Sequence, residues 1–198
     1  MLFKSTSLSI IFIIALLLVK EGACDSYSIL SQIPDLELEY YDIEGHSKAE
    51  LRANMQKFGP KDQFGMARDA YTSWHVSWSW PRKNGKIDFN STQLSKTLKI
   101  IMPRWGADPV KKEDSLLRKE WELYIKKLAE HEFRHASFFL HNVTKIKKKI
   151  MKAVAANPKL SFDDANYEAY KVLAKIRKLD KDYDLKTDHG RLEGVTLK

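Results

Sequence analysis

The chain has little of several features that mark common classes of protein. It contains one cysteine, Cys24, with 8 glycines and 6 prolines among 198 residues. A single cysteine excludes an intrachain disulfide framework, and the low glycine and proline content excludes a collagen-like or low-complexity chain. With 43% hydrophobic and 30% charged residues, the composition is enough to close one core. The formal net charge of +8 favours acidic partners without naming one.

The chain also lacks an apolar run of membrane-spanning length. Its longest run, Leu8–Val19, is shorter than the roughly 20 apolar residues that a transmembrane helix needs. A lysine precedes the run and the small residues Gly22–Cys24 follow it, which is typical of a secretory signal peptide over residues 1–24. The ending also resembles a bacterial lipoprotein signal, but Glu21 stands where that signal has an aliphatic residue. We therefore predict a secreted or periplasmic protein, with lipid anchoring at Cys24 as the second interpretation.

Three segments with alternating apolar residues predict strands, at residues 36–43, 71–80 and 97–102. The second strand carries its tryptophans on one face, and we predict that this face packs on helices and does not form a carbohydrate platform. The third strand is expected to end at Pro103. Its residues Lys99–Met102 have two interpretations, a central core strand or an edge strand that pairs with an extended substrate.

Three further segments have apolar residues every three or four positions, and this spacing predicts helices. They cover residues 47–58, 114–152 and 161–179. Ser47 and Ser161, each followed three residues later by an acidic residue, cap the first and the third helix. Strands followed by helices predict an α+β fold, in which a small twisted sheet packs on the long second helix. We expect a single domain over residues 25–198, since neither a repeat nor an interdomain linker is recognisable.

The long helix contains the sequence His-Glu-Phe-Arg-His, an HExxH motif. His131 and His135 are four residues apart, so both imidazoles lie on one face of the helix and can converge on one Zn²⁺. Glu132 lies beside the metal without ligating it and is the predicted general base, which takes a proton from water that the cation has acidified.

Three residues are candidates for the third zinc ligand. His141 follows His135 at the spacing of the longer metzincin motif, but Phe138 stands at the glycine that lets the metzincin chain turn back. On an unbroken helix His141 lies about 9 Å further along the axis and cannot reach the same ion. Glu168, on the next helix, would give a thermolysin-like site. His189, near the C-terminus, would give a three-histidine site, and we predict His189 as the ligand.

The sequence resembles a family of predicted secreted zinc-dependent proteases of bacteria, catalogued as a domain of unknown function, DUF922. The resemblance covers nearly the whole mature chain, and its most specific part is the HExxH motif combined with a later YDxxTxHG pattern. The matching residues include Tyr40-Tyr41-Asp42, Gly45, Gly59-Pro60, Trp74, Trp78, Pro103, Trp105, His131–His135, Tyr183-Asp184, Thr187 and His189-Gly190. The resemblance implies a zinc peptidase role for the HExxH residues and supports His189 as a site residue.

We therefore predict an exported, zincin-like zinc metallopeptidase that acts on a peptide or protein, with Tyr183 donating a hydrogen bond to the oxyanion. The alternative is a cationic cell-envelope binding module with a structural zinc site or none. The lysine-rich run Lys145–Lys152 has no interleaved aromatic residues, so we predict a solvated helix end and no nucleic-acid partner. We also expect no stable membrane insertion once the signal peptide is removed.

Overall fold

A computed structural model describes residues 25–62, 64–106 and 115–197. The predicted signal peptide, residues 1–24, lies outside the described residues. The strands are β1 (Leu36–Ile43), β2 (Tyr71–Ser79), β3 (Arg82–Lys83), β4 (Lys86–Ile87) and β5 (Gln93–Trp105). The helices are α1 (Lys48–Phe58), α2 (Ser115–Val143), α3 (Lys145–Ala156) and α4 (Phe162–Thr187), with short 3₁₀ segments at Asp25–Gln32, Phe89–Ser91 and Arg191–Glu193. The α+β class is confirmed.

The main sheet has three strands in the order β1-β5-β2, with β1 parallel and β2 antiparallel to β5. Because β5 is central, the interpretation of Lys99–Met102 as a substrate-binding edge strand is wrong, and the core-strand interpretation is confirmed. The expectation that this strand ends at Pro103 is also wrong, since β5 continues to Trp105. The β2 pairing stops at Ile101, so at Pro103 only β1 flanks β5. Proline is tolerated there because no strand lies on the other side of β5 to accept a hydrogen bond from its missing N–H.

The tryptophan face of β2 packs on the helices, as predicted. The Trp74 ring stacks on Phe139 of α2 with centroids 5.1 Å apart, and the Trp78 indole nitrogen donates to Asn166 Oδ1 of α4 at 2.9 Å. The largest fully buried side chains come from both the sheet and the helices and include Leu98, Ile100, Met102, Tyr124, Ile125 and Phe139. This packing fixes α2 and α4 against the same side of the sheet, which brings their polar residues together.

The prediction of one helix to Lys152 is wrong, because the helix is interrupted between α2 and α3 at Thr144. Just before the break, the Asn142 side chain donates to the Phe138 carbonyl at 2.8 Å, and His141 Nδ1 lies 2.8 Å from the Ser137 carbonyl. Side chains that bond to carbonyls one turn back compete with the helix ladder and bend it. Conversely, α4 extends to Thr187, well past residue 179, where we expected the helix to end.

Within the described part of the chain, no helix is both long and apolar enough to cross a membrane.

Candidate metal centre

Two helices bring three potential metal ligands to one point. His131 Nε2 and His135 Nε2 of α2 are 3.3 Å apart, and Asp184 Oδ1 of α4 lies 3.2 Å from the first and 3.0 Å from the second. Ligands of a tetrahedral zinc ion with bonds of about 2.0–2.1 Å are themselves separated by about 3.3–3.4 Å. The three atoms therefore form a triangle close to zinc dimensions, and the group could hold a metal ion.

The positions of these side chains follow from helix geometry. His131 and His135 are one turn apart and are nearly buried, at 5% and 9% exposed. On α4, Asp180 and Asp184 have the same spacing and therefore also share one helix face. Because this face of α4 packs on α2, each pair of side chains meets the other.

Each histidine also has a carboxylate partner on its second ring nitrogen. His135 Nδ1 lies 3.1 Å from Asp180 Oδ1, and His131 Nδ1 lies 3.4 Å from Glu193 Oε2. A carboxylate at Nδ1 favours the tautomer with its proton on that nitrogen, which leaves Nε2 free to ligate a metal. Both Nε2 atoms face Asp184, so the outer carboxylates orient the rings toward the centre of the triangle.

The cluster stabilises positive charge. Burial lowers the pKa of His135, but hydrogen bonds to Asp180 and Asp184 and the charge of Glu132 outweigh that effect and raise its pKa to about 10. Burial raises the pKa of Asp184, but its hydrogen bonds to His131 and His135 outweigh it and hold that pKa well below its usual range. With no metal bound, a proton supplies the positive charge that these carboxylates stabilise. A metal cation would displace that proton and take over its role.

Glu132 lies beside the triangle but points toward the sheet. Its side chain is buried, and Oε2 accepts a hydrogen bond from the Thr72 hydroxyl of β2 at 2.6 Å. Its charge contributes to the raised pKa of His135. The role of Glu132 as a general base stays a prediction.

Tyr183 lies against the first histidine. Its ring stacks on His131 with centroids 4.8 Å apart and an interplanar angle of 22°, and its hydroxyl donates to Glu193 Oε2 at 2.6 Å. Burial and the neighbouring Glu193 carboxylate raise the pKa of Tyr183 above its ordinary value, so the hydroxyl stays protonated near neutral pH. Its contact with the oxyanion of a substrate stays a prediction.

The other predicted ligands occupy different positions. His189 is half-exposed at the rim, with Nδ1 3.7 Å from the second oxygen of Asp184, and it does not belong to the group of three. His141 is exposed and contacts the Ser137 carbonyl, and Glu168 forms an ion pair with Lys171. The assignment of His189 as third ligand stays a prediction.

From the sequence we assigned no role in the site to Asp180, Asp184 or Glu193, although Asp184 is part of the YDxxTxHG pattern. Asp180 and Asp184 lie beyond Leu179, where we expected the helix to have ended. A second signal was present, because two acidic residues at helical spacing match the spacing of the two histidines. Glu193 reaches the site through the fold of the C-terminal residues, and no local pattern marks it.

A family model described as "Bacterial protein of unknown function (DUF922)" matches residues 38–190. No curated protein and no solved structure matches the chain. The matched range includes the HExxH motif and Asp184 but ends before Glu193. Since the match covers well over half of the sequence, the chain belongs to the DUF922 family.

Proposed function

We propose that this protein is an exported zinc-dependent metallopeptidase whose metal is held by His131, His135 and Asp184. The observation that carries the proposal is the triangle of two imidazole nitrogens and one carboxylate oxygen, at 3.0–3.3 Å from one another. Imidazole and carboxylate ligands suit zinc. Three protein ligands leave one position open, as catalytic zinc sites do, whereas structural sites are closed by four. An HExxH helix with a carboxylate from a later helix is also similar to the zincin type of site.

In this proposal Glu132 carries out the proton transfers of the reaction. Zinc in this site would polarise a peptide carbonyl and lower the pKa of water. Glu132 would accept the proton from the attacking water and then deliver it to the leaving amine. Its hydrogen bond from Thr72 at 2.6 Å involves one carboxylate oxygen, and we propose that the other faces the substrate.

The sheet offers a place for an extended peptide. β2 is an edge strand of the sheet, and its Thr72 contacts the proposed base. A peptide pairing with the outer edge of β2 would pass beside Glu132, with main-chain hydrogen bonds giving affinity. This assigns to β2 the substrate-binding role that we first considered for Lys99–Met102.

Zinc should stabilise the purified protein. At free zinc about 1,000-fold above the dissociation constant, binding to the native state alone adds about 4 kcal/mol to the free energy of unfolding. For a chain of this size that corresponds to a rise in Tm of about 8–16 °C. Scanning calorimetry of the metal-free and zinc-loaded protein, with metal analysis, measures both the shift and the stoichiometry. We expect one zinc per chain and reversal by EDTA. An unchanged Tm together with no bound zinc contradicts the metal site.

Hydrolysis separates the proposal from its rival. A library of quenched fluorescent peptides, incubated with the zinc-loaded protein and with the EDTA-treated protein, should be cleaved by the first alone. Stoichiometric zinc without cleavage would instead favour a cationic cell-envelope binding module with a structural metal.

A further inference from the structure

The last described residues fold back over the metal centre. We call Asp188–Leu197 the C-terminal segment. It leaves α4 through three consecutive left-handed residues, Asp188, His189 and Gly190, with φ of 50°, 51° and 81°. Val195 and Leu197 then bury their side chains in the core, at 8% and 7% exposed. The turn and these two anchors hold the intervening residues against the site.

The turn also brings the backbone close to His131. A Cβ atom at Gly190 would lie 2.7 Å from Val195 Cγ2 and 3.1 Å from His131 Nδ1. The Gly190 carbonyl accepts hydrogen bonds from the Glu193 and Val195 N–H groups, at 2.9 and 3.0 Å. The position of Glu193 is therefore set by backbone bonds to the same residue that packs against the histidine ring.

Glu193 contacts His131 both directly and through a neighbour. Its Oε2 lies 3.4 Å from His131 Nδ1 and accepts the Tyr183 hydroxyl at 2.6 Å, while the Tyr183 ring covers the face of the same imidazole. The direct contact determines which ring nitrogen carries the proton, and the stacked tyrosine limits rotation of the ring. Asp180 makes the equivalent contact to His135, so each histidine has its own carboxylate partner.

We propose that Glu193 is a positioning residue that raises metal affinity by holding the proton of His131 on Nδ1 and its Nε2 toward Asp184. The inference rests on the proposed function, because it concerns the same metal. Glu193 acts through His131 and does not itself ligate. Since Glu193 follows the family-matched residues 38–190, metal affinity would depend on a segment outside the part of the chain that the family model describes.

Zinc affinity of the full chain tests the proposal. Competition with a chromophoric chelator should show binding weakened about 10-fold in Glu193→Gln, which keeps an acceptor oxygen but loses the charge, and about 10–100-fold in Glu193→Ala. Glu130→Gln is the matched control. It removes the same charge one residue from His131, but its carboxylate pairs with Lys127 at 2.7 Å, so its affinity should stay within about twofold of the unmodified chain. The visible absorption bands of the Co²⁺-loaded protein should shift in the Glu193 variants and not in the control.

The outcomes separate this inference from the proposed function. If the unmodified chain binds zinc and Glu193→Ala binds it equally well, Glu193 has no positioning role while the metal site stands. If the unmodified chain binds no zinc, the proposed function fails, and this inference fails with it. A purely structural role would lower the Tm of the metal-free variants and leave zinc affinity unchanged. Should Glu193→Ala not fold, Tyr183→Phe removes the hydroxyl that fixes Glu193, and we expect it to weaken zinc binding several-fold.

Discussion

Glu132→Gln should reduce peptide hydrolysis by about 10²–10⁴-fold, the usual contribution of a general base, while zinc stays bound. Glutamine has the size of glutamate and can still accept the Thr72 hydrogen bond, so the buried environment of the side chain is preserved. The variant loses the ability to take a proton from water, together with the negative charge that helps to raise the pKa of His135. Steady-state rates on a cleavable peptide from the library, together with metal analysis of the same samples, measure the two effects.

A second variant helps to locate the effect. Thr72→Val removes the hydroxyl that holds Glu132 at 2.6 Å without changing the carboxylate, so we expect a smaller loss of rate than in Glu132→Gln. Unchanged hydrolysis in Glu132→Gln would contradict the general-base role. Loss of zinc from that variant would mean that Glu132 ligates the metal, and the triangle would then be incomplete.

The parts of the fold that hydropathy specifies directly were predictable. Residues 36–43 alternate and coincide with β1, and the tryptophan strand coincides with β2 except at its last residue. Ser47 and Ser161 cap α1 and α4 with the expected hydrogen bonds from residues 50 and 164. In each case one local rule, side-chain alternation or satisfaction of free N–H groups, is enough to determine the structure.

The metal centre was only half predictable, because the part of α4 that contributes to it has no amphipathic sequence pattern. The apolar stripe of α4 passes through Val172 and Ile176 and then continues on the same face as Asp180, Asp184 and Thr187. Hydropathy therefore indicates that the helix ends, although the face stays packed against α2. Polar residues replace apolar ones at this point because they face histidines rather than core. The failure of the periodic pattern coincides with the candidate site.

The interruption of the helix after Val143 could not be predicted either, for a different physical reason. Neither glycine nor proline lies near it, and the competing hydrogen bonds of His141 and Asn142 to carbonyls one turn back depend on side-chain conformation. Such contacts are open to the same residue types in an unbroken helix, so residue type alone does not locate the break.

Asp184→Ala should weaken zinc binding more than about 100-fold, whereas His189→Ala should weaken it only a few-fold. Loss of a partner that merely orients a ligand costs about 10–100-fold, and loss of a ligand should cost more. Asp184 Oδ1 lies within 3.2 Å of both histidine nitrogens, whereas His189 is half-exposed and 3.7 Å from Asp184. Chelator competition measures both variants. Asp182→Ala is the control, since Asp182 is exposed on the same helix and pairs with Lys178 at 2.8 Å.

The order of the two effects decides between two coordination spheres. A larger loss in His189→Ala would support the three-histidine site that we predicted from the sequence. The C-terminal segment would then have to move His189 inward when metal binds, which would disturb the turn that carries Glu193. Equal, small losses of zinc affinity in both variants would contradict both coordination spheres. A dominant loss in Asp184→Ala would leave His189 at the rim, free to contact a substrate, and would assign the metal to the two helices that pack on the tryptophan face of the sheet.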